Sequence, residues 1–156
     1  MARAVARVQG LLGPYAALVP VPAGGRDPAT RVAWVPWDDE RRPPRDPQAP
    51  WPGGIPPPHP ATVHPSPLPA ALLGGTGTAV RVDGRGELSE PPARLSTAGG
   101  APVQVAGWGG PWPADEQWWD PARHRRRARL QVSTVDGRAF LLACTDGRWW
   151  VEAEYD

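Results

Sequence analysis

Twenty-three of the 156 residues are proline, and twelve of these fall between Pro43 and Pro69. Each proline removes a backbone donor and fixes φ, so residues 38–75 are expected to hold neither a helix nor a central strand. The stretch reads as an extended, stiff linker of polyproline type. Trp51, Ile55, Leu68 and Leu72 are spaced along it as anchors for a folded surface. With 18 glycines added, punctuation residues reach a share typical of low-complexity chains. Nine tryptophans and a 40% apolar share argue against a wholly disordered chain. A folded part beside a proline-rich part follows, within about one domain's length.

Residues 1–37 carry short elements. Val5, Val8, Leu11 and Leu12 recur at helical spacing over residues 2–12, and Gly13-Pro14 stops the run. Ala17 to Val21 reads as a strand, Gly24-Gly25 as a turn, and Arg31 to Trp37 as a second extended piece. Arg3 and Arg7 ahead of apolar residues superficially resemble a secretion signal, but Gln9, Gly10, Gly13 and Pro14 interrupt the run such a signal needs. No apolar stretch is long enough for a membrane-spanning helix.

Residues 76–156 are expected to form a small antiparallel β domain, which makes the fold class mainly β. Ala79 to Val82 and Pro102 to Trp108 are strand candidates, with Asp83-Gly84 as a hairpin signal. Arg127 to Val135, Arg138 to Thr145 and Arg148 to Tyr155 then build a three-stranded meander, joined by two-residue turns at Asp136-Gly137 and Asp146-Gly147. Two-residue loops set a register in which Val132 faces Leu141 and Leu130 faces Ala143, while Cys144, Leu142 and Phe140 face Trp149, Val151 and Ala153. The middle strand is apolar on both faces and needs cover on both.

Charge and thiols narrow the chemistry. Seventeen arginines and no lysine balance sixteen acids at a net +1, too even for nucleic-acid binding by bulk charge. Cys144 is the single cysteine, so no internal disulfide and no cysteine zinc site can form, which fits a reducing, cytoplasmic compartment. His59 and His64 sit in the proline-rich stretch and are expected to have no carboxylate or thiol partners, so no metal and no other cofactor is expected. There is no phosphate-binding glycine loop followed by Lys-Ser/Thr, and no nucleophile elbow.

The densest signal is AGWGGPWPADEQWWD at 106–120. Its rings Trp108, Trp112, Trp118 and Trp119 have two roles open to them: capping the meander, or forming a partner-binding surface. Arg123, Arg125, Arg126, Arg127 and Arg129 follow directly, with His124 among them. Basic residues beside aromatics are what a single-stranded nucleic-acid groove uses; a solvated turn and strand face, partly neutralised by Asp115, Glu116 and Asp120, is the alternative.

GWGGPWPADEQWWDPARHRRRARLQV, followed by DGRAFLL and GRWWVEAEYD, resembles the extreme C-terminus of actinobacterial ImuB-type proteins, Y-family DNA polymerase homologues of the mutasome. RVQGLLGP, GGRDPATRVAWVPWDDER, APWPGGIPPPHPATV and VRVDGRGELSEPPARL resemble the same proteins in the same order, so the similarity runs along the whole chain. The resemblance implies a last helix and strand of a little-finger domain at about residues 2–22, then a C-terminal extension. The polymerase palm and its metal-binding acids would lie outside this chain, with Met1 falling inside the little finger as in a split or truncated copy. A helix and strand cut from their sheet are expected to be loosely held unless they dock. The resemblance further implies a non-catalytic adaptor in damage-induced translesion synthesis, with a sliding clamp, an error-prone C-family DNA polymerase and a RecA-like accessory protein as partners and DNA as a secondary one. The clamp-binding peptide of such proteins would fall at Trp34, Val35, Pro36 and Trp37. This sequence lacks the opening Gln of that peptide and carries Pro36 where Leu stands.

Overall fold

The computed structural model describes residues 2–47, 49, 54–116, 119–120 and 125–155, with Glu116 and Arg125 described by their backbone alone. The chain divides into two compact units, Met1–Trp51 and Pro52–Asp156.

In the first unit, helix α1 (Ala2–Leu12) ends at Gly13, whose φ of 93° takes the left-handed region that glycine tolerates, and a 3-10 turn, Pro14–Ala16, follows. Strands β1 (Leu18–Pro22) and β2 (Val32–Pro36) pair antiparallel. The elements expected from sequence are present, but α1 buries no side chain, and among the described residues of the unit only Val21, Ala23, Gly24 and Gly25 are buried. Gly24 lies so close to the Asp46 carbonyl that a Cβ would stand 2.7 Å from its oxygen.

The second unit is a closed antiparallel barrel of six strands: β3 (Thr62–Gly74), β4 (Pro92–Thr97), β5 (Val103–Glu116), β6 (Arg125–Thr134), β7 (Ala139–Thr145) and β8 (Arg148–Tyr155). Each strand pairs with the next, and β8 closes on β3. The mainly β class holds. The three-stranded meander is half of a larger sheet, and the expected linker at 38–75 supplies a complete barrel strand.

Proline fits in β3 because of where its missing donor points. A residue's N–H and C=O face the same side of a strand. The Pro69 carbonyl accepts the Ala98 amide at 2.9 Å, on the side away from its β8 partner Trp150. Pro65 and Pro67 keep the same two-residue spacing, and β4 pairs only Ala70–Gly74 of this strand. Pro65 and Pro67 fall between Val63 and Leu68, where the β8 register shifts and neither neighbouring strand pairs, so no ladder bond calls for their missing donors.

The β6–β7 register differs from expectation by one residue. Val132 pairs with Phe140, and Leu130 with Leu142. Gly137 donates to the Thr134 carbonyl and Thr134 to the Arg138 carbonyl, which makes a three-residue loop, Val135-Asp136-Gly137, closed by glycine at φ 86°. The shift puts Leu130 and Val132 on the same face as Phe140, Leu142 and Cys144, inside the barrel with Leu72, Val80, Leu95, Trp149 and Val151. The β7–β8 turn is the two-residue Asp146-Gly147 turn, with both residues at positive φ, and Cys144 and Leu142 face Trp149 and Val151 as expected. A bulge then intervenes: Leu141 pairs with Ala153 and Phe140 with Glu154, which leaves Glu152 as the extra residue. Outside the barrel, Ile55 covers Leu141 and Ala153, so both faces of β7 are buried and the proline-rich stretch supplies part of the cover. Ile55 and Leu72 are buried anchors, Leu68 remains exposed, and Trp51 lies outside the described residues.

The Thr134 hydroxyl donates to Asp136 Oδ1 at 2.5 Å, and Arg138 Nε donates to Oδ2 at 2.9 Å. These bonds favour the carboxylate and hold its pKa down to about 2, below the 3.8 of the free side chain. The loop's stabilisation is therefore complete above pH 3.8 and lost as pH falls through about 2. A carboxyl titration by NMR should place Asp136 near 2 and return it toward 3.8 in Thr134→Val; an unmoved midpoint would show that the hydroxyl contributes nothing.

Candidate docking surfaces

Strand alternation gives the β1–β2 hairpin one wholly apolar face. Leu18 pairs with Pro36, Pro20 with Trp34 and Pro22 with Val32, so these six side chains share a side. Leu18, Pro20, Pro22, Val32 and Trp34 are exposed and Pro36 is half-buried. Trp34 is 62% exposed at the middle of the face. A two-stranded sheet is marginal without cover on an apolar face, and no described residue of this unit buries this one. The sequence-predicted clamp peptide is thus part of a paired strand. Val35 points to the opposite face, and Trp37 lies past the strand end, half-buried, with the Arg41 guanidinium 5.3 Å from its ring centre. Trp34 alone of that set offers an open ring.

The four tryptophans of the 106–120 segment do not act as one cluster. Trp112 is half-buried against Ile55, Leu141 and Ala153, the capping role. The Gly110 backbone passes under its ring: at φ 105°, a Cβ there would meet Trp112 Cε3 at 2.9 Å and the Arg129 carbonyl at 3.0 Å. Trp108 is 47% exposed beside a groove of about 520 Å³ that also touches Phe140, Tyr155 and Pro58. Trp119 is 70% exposed, and Trp118 lies outside the described residues.

Alternation splits the arginine run as well. Arg123 lies outside the described residues, and only the backbone of Arg125 is described. Arg126 is exposed and donates to the Gly84 carbonyl. Arg127 and Arg129 turn to the other side and converge on Glu152, with Arg129 Nε 2.6 Å from Oε2 and Arg127 Nη1 3.0 Å from Oε1. Arg129 is 1% exposed, so its charge is committed inside the protein and not offered to a phosphate. Sequence reading missed Glu152, because the bulge that aims it at the arginines has no signature in residue spacing. A second concavity of about 920 Å³ touches Arg126, Arg127, Arg148 and Trp150, with Asp146 and Glu152 in the same lining.

The remaining titratable groups serve the barrel. His64, expected to have no carboxylate partner, has one: its Nε2 lies 2.9 Å from Glu154 Oε1, between the two paired stretches of β3 and β8, because strand pairing brings together residues ninety positions apart. Cys144 is buried in the core, and burial pushes its thiol pKa up, away from reactivity. Among the described residues no group of three His, Cys, Asp or Glu side chains is placed to hold a metal ion, and no helix is long and apolar enough to cross a membrane. No family model matches the chain, and neither a curated protein nor a solved structure does.

Proposed function

We propose that this chain is a non-catalytic, cytoplasmic adaptor segment of an ImuB-like Y-family polymerase homologue, acting by protein–protein contact in damage-induced mutagenic translesion synthesis. The partners on this reading are an error-prone C-family DNA polymerase, a RecA-like accessory protein and a sliding clamp. The reading is supported by the sequence resemblance along the whole chain and by one structural observation, the uncovered apolar face of β1–β2 centred on Trp34. A face of six apolar side chains without a charge suits a protein surface, and an exposed tryptophan at its centre is a typical hot-spot anchor. The pairing of Arg127 and Arg129 with Glu152 favours protein over single-stranded nucleic acid as the partner.

Immobilised full-length chain, exposed to each of the three purified partners in turn, should capture at least one with micromolar or tighter affinity. Trp34→Ala should weaken that capture about tenfold or more without moving the Tm, because the ring is exposed. Failure of all three partners to bind would overturn the proposal, as would metal-dependent nucleotide incorporation by the chain alone.

A further inference from the structure

Backbone direction gives the two edges of the β1–β2 hairpin unlike chemistry. In an antiparallel pair a residue's N–H and C=O point to the same side of its strand, and successive residues point to opposite sides. The Ala23 N–H donates to the Arg31 carbonyl at 2.7 Å, and the Trp37 N–H to the Ala17 carbonyl at 3.0 Å. On the register between these bonds, Val19 faces Val35 and Val21 faces Ala33 with their backbone groups turned inward. Leu18, Pro20 and Pro22 of β1 therefore turn theirs outward, and so do Val32, Trp34 and Pro36 of β2. On the β1 edge only Leu18 can donate, because the other outward positions are proline. The β2 edge keeps the Val32 and Trp34 donors and all its carbonyls, and neither donor has a partner among the described residues.

We propose that the outer edge of β2 docks a second copy of this chain, added antiparallel about a two-fold axis at Trp34. The strand is self-complementary in that register. The Trp34 N–H meets the Trp34 carbonyl of the second copy, in both directions, and the Val32 N–H meets the Pro36 carbonyl of the second copy, again in both directions. Both outward donors of each copy are used, and the missing donor of Pro36 falls at the strand end, where the Val32 carbonyl opposite it keeps water. Charge selects the antiparallel sense. Arg31 precedes β2 and Asp38 and Asp39 follow it, so the basic start of one strand lies against the acidic end of the other, whereas parallel addition sets like against like. The two Trp34 rings become direct cross-strand neighbours on the apolar face. Joined in the order β1–β2–β2–β1, the hairpins make one continuous sheet, a sounder unit than an isolated pair of strands. The prolines of β1 blunt both outer edges, so growth stops at two copies. A strand edge this short buries far less area than a tight complex, which sets the expected Kd at about 10–300 μM. The dimer uses the β2 backbone and does not depend on capture of a polymerase partner.

The test is sedimentation equilibrium of the full chain from about 5 μM to about 1 mM, with amide exchange measured at both ends of that range. A reversible monomer–dimer equilibrium is expected. The Val32 and Trp34 amides should gain protection as the dimer fills, while the Leu18 amide, on the proline edge, stays open at every concentration. Val32→Pro removes an outward donor that β1 does not use and should raise Kd about tenfold or more. Trp34→Lys keeps every donor, sets like charges against each other across the two-fold axis and should abolish the dimer. In both variants the inward amides of Val21 and Ala33 are to be checked for unchanged protection, and the second keeps the test decisive if the first loses the hairpin. A monomer at every concentration would overturn the proposal; protected Val32 and Trp34 amides in that monomer would assign the edge to the chain's own segments, and open ones would leave it to a strand of another protein. Dimerisation that neither variant changes would overturn it too, as would growth past two copies. No polymerase, accessory protein or clamp enters the measurement, so failure of partner capture and failure of the dimer are read separately.

Discussion

Replacing Glu152 with alanine is expected to lower the unfolding free energy by about 3 kcal/mol and the Tm by on the order of 10–20 °C. Glu152 spends both carboxylate oxygens on two guanidinium groups. Its side chain is 12% exposed, against 2% for Arg129 and 17% for Arg127. Desolvating three charges costs several kcal/mol each, and the Coulombic gain offsets that only while opposite charges stay in contact. Taking away the carboxylate removes the anion that these two guanidinium groups share on the covered side of β6, where Arg129 is almost wholly out of water. The double replacement Arg129→Met, Glu152→Leu removes the charge and its partner together and should recover most of the loss, because apolar pairs often match or exceed buried ion pairs in stability. Urea unfolding of the three proteins settles it. A Glu152→Ala loss under about 0.5 kcal/mol would mean the cluster behaves like a surface ion pair, and the burial of Arg129 would need another cause.

That pair of arginines also shows where residue patterns run out. Strand alternation along Arg127 to Val132 is plain in the sequence, and so are α1, the Gly13 stop, both short strands of the first unit and the Asp146-Gly147 turn. Each depends on neighbours in the chain. The β6–β7 loop misled because Asp136-Gly137 suits two geometries. Only the core decides between them: a two-residue loop would set Val132 against Leu141, on the opposite face from the barrel interior. The prolines of β3 misled for a similar reason. A missing donor is costly in a strand paired on both sides and harmless where one side is unpaired, and which of the two holds depends on how short β4 is. The Glu152 bulge is a third case, in which one extra residue in β8 turns a carboxylate toward arginines more than twenty positions earlier. On the site itself, exposure of Trp34 and Trp108 and burial of Trp112 are tertiary outcomes that a tryptophan count does not separate.

Trp149→Ala is the other large effect, expected at about 3–5 kcal/mol. Trp149 is 4% exposed inside the barrel, facing Cys144, and its ring does two things at once. It fills the core between β7, β8 and the loop that joins β3 to β4. Its Nε1–H also donates to the Val80 carbonyl at 2.7 Å. That loop is tied by the single bridges Leu73 to Ala79 and Val82 to Leu88, by backbone bonds such as Val80 to Leu72, by Arg126 on the Gly84 carbonyl and by Thr76 and Thr78 on Glu90, and it sends Val80 into the core at 0% exposure. Trp149→Phe separates the two roles. It keeps most of the apolar contact and leaves the Val80 carbonyl without its donor, a cost of about 1–2 kcal/mol. Amide exchange should localise the difference. In Trp149→Phe, the amides of Val80, Asp83 and Ser89 should lose protection ahead of those in β6 and β7, because the loop loosens while the barrel stays closed. In Trp149→Ala, both sets should fall together. Equal stability losses in the two variants, with no early exchange in the loop, would show that the indole acts by volume alone and that Val80 is held by the bonds its own backbone makes.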